Sequence, residues 1–146
     1  LNQNPIVALA EPGTSSWGRG GYGAPWTGRL TARWWRPLHE THRIVRRATF
    51  RAEHRTGAAG AALDRAIVEL LLLQSSDWLF MLNEGGKPAR YAHQRLLEHG
   101  EAARYFSRMA ENPSLASREQ AARARHNRPF MRHLDRGLLR RAAMAE

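Results

Sequence analysis

The sequence predicts an all-α protein, a helical bundle preceded by a long loop rich in glycine and tryptophan. Three observations predict it. Apolar side chains recur at helical spacing through three long segments, as in Trp34, Leu38, Val45 and Thr49 of the first and Leu63, Ile67 and Leu70 of the second. No internal repeat and no sustained strand alternation interrupts them. Glycine and proline are concentrated at Gly13, Gly18, Gly20, Gly21, Gly23, Gly28, Pro5, Pro12 and Pro25, which makes residues 1–30 loop rather than helix or strand. Within them, Ile6-Val7-Ala8-Leu9 is the one candidate for a short strand or an extended apolar anchor. The organisation that follows is a Gly/Trp-rich loop over 1–30, a helical domain over 31–135 and a C-terminal tail over 136–146.

Taken in order, the first helix is expected from about Thr31 to Arg55, with Pro37 tolerated in its first turn. Its apolar stripe runs through Trp34, Leu38, His42 or Val45, and Thr49. Thr56-Gly57-Ala58-Ala59-Gly60 then breaks the chain, and a second helix is expected from about Ala61 to Leu82. Asn83-Glu84-Gly85-Gly86-Lys87 supplies a turn, and Pro88 starts a third helix that runs to about Ala110 and closes at Asn112-Pro113. That helix carries Tyr91, Arg95, Leu96, His99, Tyr105 and Phe106 in a mixed amphipathic pattern. A short fourth helix is expected from Ser117 to Arg125, capped by Ser117 with Gln120 three residues on. The tail from Gly137 to Glu146 reads as a frayed, Ala/Arg-rich helix.

Composition narrows the function. The chain has 146 residues, enough for one domain with a real core. It has no cysteine, so disulfides and thiolate metal sites are excluded, as suits a cytoplasmic protein. No apolar run approaches the roughly 18 residues of a membrane span. Leu1-Asn2-Gln3-Asn4 has no basic segment ahead of an apolar one, so no signal peptide is expected, and a start at Leu1 reads as a piece of a longer protein. The net charge of +10 raises nucleic acid as a partner. Lys87 is the only lysine among 23 basic residues, and the arginines are scattered among Glu and His rather than gathered in a block, which disfavours that partner. His39 and His42 stand three apart on one helix face, but no third ligand is evident, so neither a metal nor any other cofactor is expected.

The stretch with most chemical content is Glu69-Leu70-Leu71-Leu72-Leu73-Gln74-Ser75-Ser76-Asp77-Trp78. At about 100° per residue, Leu63, Ile67, Leu70, Gln74 and Met81 fall on one stripe, with Asp77 and Trp78 on its shoulders. A carboxylate beside an apolar stripe is costly to bury without hydrogen bonds. Two readings stay open: a helix cap or internal bond, and a ligand contact at the mouth of a site. Trp17 and Trp26, nine residues apart in a glycine-rich loop, either pin that loop on a core or offer flat apolar faces to a ligand.

Five motifs in order carry a resemblance. They are Ser15-Ser16-Trp17-Gly18-x-Gly20-Gly21, then Trp26, Leu38-His39, the Glu69–Trp78 stretch, and Tyr91-Ala92-x-x-Arg95-x-x-x-His99. This arrangement resembles the C-terminal helical region of glycoside hydrolase family 57 enzymes of the 1,4-α-glucan branching type. Asn127-Arg128-Pro129-Phe130-x-x-x-Leu134-Asp135 is similar to the segment that closes that region. The resemblance covers roughly residues 12–135.

It implies a region that packs on a (β/α) barrel and completes the cleft of an enzyme that cuts an α-1,4 bond and transfers the released segment to a 6-hydroxyl, as in glycogen biosynthesis. An α-glucan such as amylose or glycogen and the barrel of the same polypeptide would be its partners. Trp17 and Asp77 match sugar-contacting positions, Trp26 a second aromatic of the same loop, and Trp78 either a contact or a core residue. The motifs of the nucleophile and the acid are absent here, and Glu11, Glu40, Glu84 and Asp77 sit in the wrong contexts to replace them. No catalytic residue is therefore expected in this chain. Arg19 and Tyr22 depart from the family pattern, which bears on substrate preference. The same region of an amylase or a 4-α-glucanotransferase, and a basic helical module binding nucleic acid, are the alternatives.

Overall fold

The computed structural model describes residues 20–52 and 54–112, together with positions 11, 13, 15, 16, 18, 114 and 131. Among the described residues the elements are α1 (Ala24–Thr27), α2 (Ala32–Ala52), α3 (Gly57–Leu73), α4 (Ser76–Glu84) and α5 (Gly86–Glu111), with no strand. The all-α helical bundle is thus observed. The candidate strand at Ile6–Leu9, the helix expected over Ser117–Arg125 and the tail over 136–146 lie outside the described residues.

Helix α2 buries Leu38, Thr41, Val45, Ala48 and Ala52, a seam with alternating steps of three and four residues. The seam passes through Thr41 rather than the expected His42, which is exposed. A threonine is admitted there because its hydroxyl accepts a hydrogen bond from the Arg104 guanidinium of α5 at 2.8 Å. Pro37 lies inside the helix rather than in its first turn. The cost is limited because Arg33, whose carbonyl loses its helical donor, is exposed.

Helix α3 is apolar almost all round. Ala59, Ala62, Leu63, Ala66, Ile67, Val68, Leu70 and Leu73 are all buried, as expected of a helix enclosed by its neighbours. It packs on both α2 and α5, and α5 runs past α2, α3 and α4. The α5 seam is Ala92, Leu96, Gly100, Ala103, Ser107 and Ala110, whose side chains, Leu96 apart, are small enough to let the helices approach closely.

Two boundaries differ from expectation. The break expected at Thr56–Gly60 lies earlier, since α2 ends at Ala52, His54, Arg55 and Thr56 are not helical, and Gly57 already is. The single helix expected over Ala61–Leu82 is two, because α3 ends at Leu73 and α4 begins at Ser76. Ser75 adopts φ −57° and ψ 128° at the N-cap of α4. Serine favours that position by competing for the backbone of an interior turn. The stripe continued from Leu70 through Gln74 to Met81 therefore does not exist, and Gln74 is exposed.

The loop assigned to residues 1–30 also contains one helical turn, α1. Gly23 enters it at φ 74°, a left-handed conformation suited to glycine, and Pro25 sits in its opening positions with its ring buried. Thr31 anchors the turn, its fully buried hydroxyl lying 2.7 Å from the Trp26 carbonyl and 3.1 Å from that of Gly28. At the far end, Arg47 and Arg51 of α2 face Glu111 of α5 at 3.2 and 3.8 Å. Such exposed pairs contribute about 1 kcal/mol or less.

Leu63 has no exposed surface and belongs to the main core cluster. Leu63→Ala is expected to lower the unfolding free energy by about 3–5 kcal/mol through lost transfer energy and a residual cavity, measurable by guanidinium denaturation.

Candidate functional site

The polar corner Gln74-Ser75-Ser76-Asp77 joins α3 to α4 and is the focus of the candidate site. Asp77 is exposed in the first turn of α4, where the helix dipole favours a carboxylate. The Ser75 hydroxyl donates to Asp77 Oδ2 at 3.1 Å. The residue is therefore not an acid held against an apolar stripe. Its carboxylate stands in water with one oxygen steadied by a neighbour.

Trp26 is brought to the same corner across fifty residues of sequence. Its indole N–H donates to the Ser76 carbonyl at 3.0 Å, and its ring meets Phe80 of α4 at 6.0 Å. Trp35 extends the cluster, since its own indole N–H donates to the Trp26 carbonyl at 3.0 Å. The α1 turn is thus fastened on both sides by ring N–H groups bonded to main-chain oxygens.

Trp78 faces the other way, into the packing between α4 and α5. Its indole N–H donates to the Leu72 carbonyl at 2.7 Å, at the end of α3, where that oxygen also accepts the Ser75 N–H at 3.2 Å. Its ring stacks with His99 at 6.2 Å, meets Tyr91 edge-on at 6.0 Å and lies against the main core cluster. Arg95 lies over Tyr91 at 5.6 Å, so the spaced residues Tyr91, Arg95 and His99 gather on one side of Trp78. Trp17 lies outside the described residues. Of the four residues singled out in the sequence, the structure bonds Trp26 to Ser76, the neighbour of Asp77 in the chain, and directs Trp78 elsewhere.

The acid that is buried is Glu69, 3% exposed. Its carboxylate receives the Arg65 guanidinium at 2.5 Å and faces His99 Nδ1 at 2.6 Å. Burial alone would push its carboxyl up. The hydrogen bond from His99 and the charge and hydrogen bond of Arg65 outweigh burial and hold it below the ordinary value of 4.5. Through His99 this cluster sets the ring on which Trp78 stacks. The sequence signal for it was an acid inside the apolar run Ala66–Leu73, with arginine four residues before it on the same face.

Beside the corner, an open groove of about 920 Å³ runs along α2, lined among others by Trp35, His39, His42, Arg43 and Gln74. Gln74 Nε2 lies 3.1 Å from His42 Nδ1. Among the described residues, no group of three His, Cys, Asp or Glu side chains is placed to hold a metal ion. Nor is any helix among them long and apolar enough to cross a membrane.

The sequence comparison gives this helical bundle a family. Residues 37–137 match the family described as 1,4-alpha-glucan branching enzyme, C-terminal. The chain belongs to that family, which ties it to glucan branching enzymes. No solved structure matches it.

Glu69→Gln removes a charge-assisted pair and is expected to lower stability by about 2–3 kcal/mol at neutral pH. Because the folded carboxyl is held below its ordinary value, its contribution is present above pH 4.5 and is lost as pH falls through the lowered folded value. Urea denaturation across pH 7 to 3 should therefore show the gap between wild type and Glu69→Gln closing on the acid side.

Proposed function

We propose that this chain is the glucan-contacting helical domain of a glycoside hydrolase family 57 branching enzyme, with Asp77, Trp26 and Trp17 as its sugar contacts. The observation that carries the reading is the indole bond that fixes Trp26 to Ser76, the residue before Asp77, at the N-terminal end of α4. A glucose ring has an apolar C–H face that an indole covers, and in-plane hydroxyls that a carboxylate accepts in pairs. Trp78, half-buried against α5, serves this corner by positioning α4 rather than by touching sugar.

In the parent enzyme the catalytic carboxyl pair belongs to a (β/α) barrel, with the two groups about 5–5.5 Å apart, as a retaining mechanism requires. One displaces the α-1,4 linkage at C1 to form a glycosyl-enzyme while the other protonates the departing oxygen. The 6-hydroxyl of an acceptor glucan then attacks C1 and gives up its proton, making the α-1,6 branch. The role of the present domain is to hold the glucan against that centre. Its indoles also limit the access of water, which would otherwise divert the intermediate to hydrolysis.

The test is a tryptophan-fluorescence titration of the folded chain with maltoheptaose at low and high salt. A salt-insensitive change is expected, lost in Trp17→Ala and weakened about tenfold or more in Asp77→Asn. No response from a folded chain, or variants that bind like wild type, would overturn the reading. A steeply salt-dependent response to an oligonucleotide would replace it with nucleic-acid binding. In the full-length enzyme, Trp17→Ala is expected to raise hydrolysis relative to branching, and an unchanged ratio would remove the water-exclusion role.

A further inference from the structure

Trp34 and Trp35 are neighbours with opposite fates. Trp34 turns inward, packed on the core cluster and edge-on to His93 at 5.3 Å. Trp35 turns outward, with 37% of its surface exposed. An exposed indole on a helix is ordinary, but this one is held still. Its N–H is committed to the Trp26 carbonyl at 3.0 Å, and its ring leans on His39 at 5.8 Å. A flat apolar ring is thus fixed at the surface, at one end of the groove along α2.

The rest of the groove supplies hydrogen-bonding groups. Trp35, His39 and His42 stand at i, i+4 and i+7, so they share one face of α2 over about 10 Å of helix. Gln74 closes the opposite wall. Its bond to His42 leaves the amide with a second donor hydrogen and a carbonyl oxygen. Arg43 also lines the groove, and among the described residues it makes no ion pair, whereas Arg36 is bound to Glu40 at 2.9 Å. The volume, about 920 Å³, is at the upper end of the range for small-molecule sites.

We propose that this groove is a second α-1,4-glucan subsite, continuing the path of the chain from Trp26 and Asp77 across Trp35 towards Gln74 and Arg43. Three features favour a neutral sugar chain. The aromatic platform fits the C–H face of a glucosyl unit. The amide and guanidinium are planar donors matched to adjacent hydroxyls. The charges at the rim are mixed, since Glu40 lies beside the arginines, which is unlike a site built for an anion. Continuity is the strongest argument. The two sites share Trp26, which is bonded to Ser76 on one side and to Trp35 on the other. The proposal rests on the glucan reading of the Trp26–Asp77 corner, and its effect is on chain length: occupancy of the groove rewards a longer donor or acceptor.

Chain-length dependence tests it. Dissociation constants of the full 146-residue chain for maltotriose and maltoheptaose are compared by calorimetry for wild type, Arg43→Ala, Trp35→Leu and Asp77→Asn. Arg43→Ala is expected to weaken maltoheptaose about five- to tenfold and to leave maltotriose unchanged, and Trp35→Leu to weaken maltoheptaose more than maltotriose, so that the advantage of the longer sugar falls in both. Asp77→Asn is expected to weaken both sugars alike. If Arg43→Ala and Trp35→Leu keep the full advantage of maltoheptaose while Asp77→Asn weakens both, the groove is not a subsite and the corner stands. If a folded wild-type chain binds neither sugar, the corner and the groove both fall. Trp35→Leu also removes the bond to Trp26, so a loss of both sugars there counts only together with Arg43→Ala, which touches neither indole. Competition by inorganic phosphate at millimolar concentration would overturn the neutral-sugar assignment.

Discussion

Taking the Glu69 carboxylate out of water inside an otherwise apolar helix carries a penalty of several kcal/mol unless its oxygens are met by donors in good geometry. Arg65 meets it from the preceding turn of α3, and His99 meets it from α5. The second contact fixes the register of α3 on α5, since a shift of one residue along α5 would turn His99 to another face. The imidazole then stacks on Trp78, whose N–H takes up the Leu72 carbonyl at the end of α3. A closed circuit through α3, α5 and α4 results, and the corner bearing Gln74, Ser75, Ser76 and Asp77 is held at its apex. A buried interaction remote from the corner thus decides where its exposed residues stand.

The presence of the long helices was legible because their seams follow helical spacing closely. The end of α3 was not. Trp78-Leu79-Phe80-Met81-Leu82 resumes the apolar content after Gln74-Ser75-Ser76, so periodicity alone bridges a gap that the backbone does not. The capping preference of Ser75 was the available signal, and Trp78 disguised it by packing inward. The same bridging misplaced the buried acid: Asp77, counted along a continuous helix, falls beside the stripe, whereas in the folded chain Glu69 carries that burden.

The site was legible to a different degree. Nothing in spacing relates Trp26 to Asp77, which are fifty-one residues apart. Their association was implied by a resemblance of motifs and becomes physical only in the indole bond to Ser76. Trp35 escaped notice because two identical neighbours cannot be told apart by composition. The rotation of about 100° between them makes one a core residue and the other a surface ring. Leu38, Val45 and Ala48 supply the phase that separates them, once Thr41 is accepted as part of the seam.

The indoles of Trp26 and Trp35 both terminate on carbonyl oxygens of the main chain. Such an acceptor is present whatever residue occupies the position. A change of side chain at position 76 therefore leaves the acceptor for the preceding loop in place. Positions 26 and 35 have no such latitude, because no other side chain combines a broad ring with a single N–H at that reach. The aromatic character of this end of the molecule is thereby required by its architecture alone, before any ligand is considered.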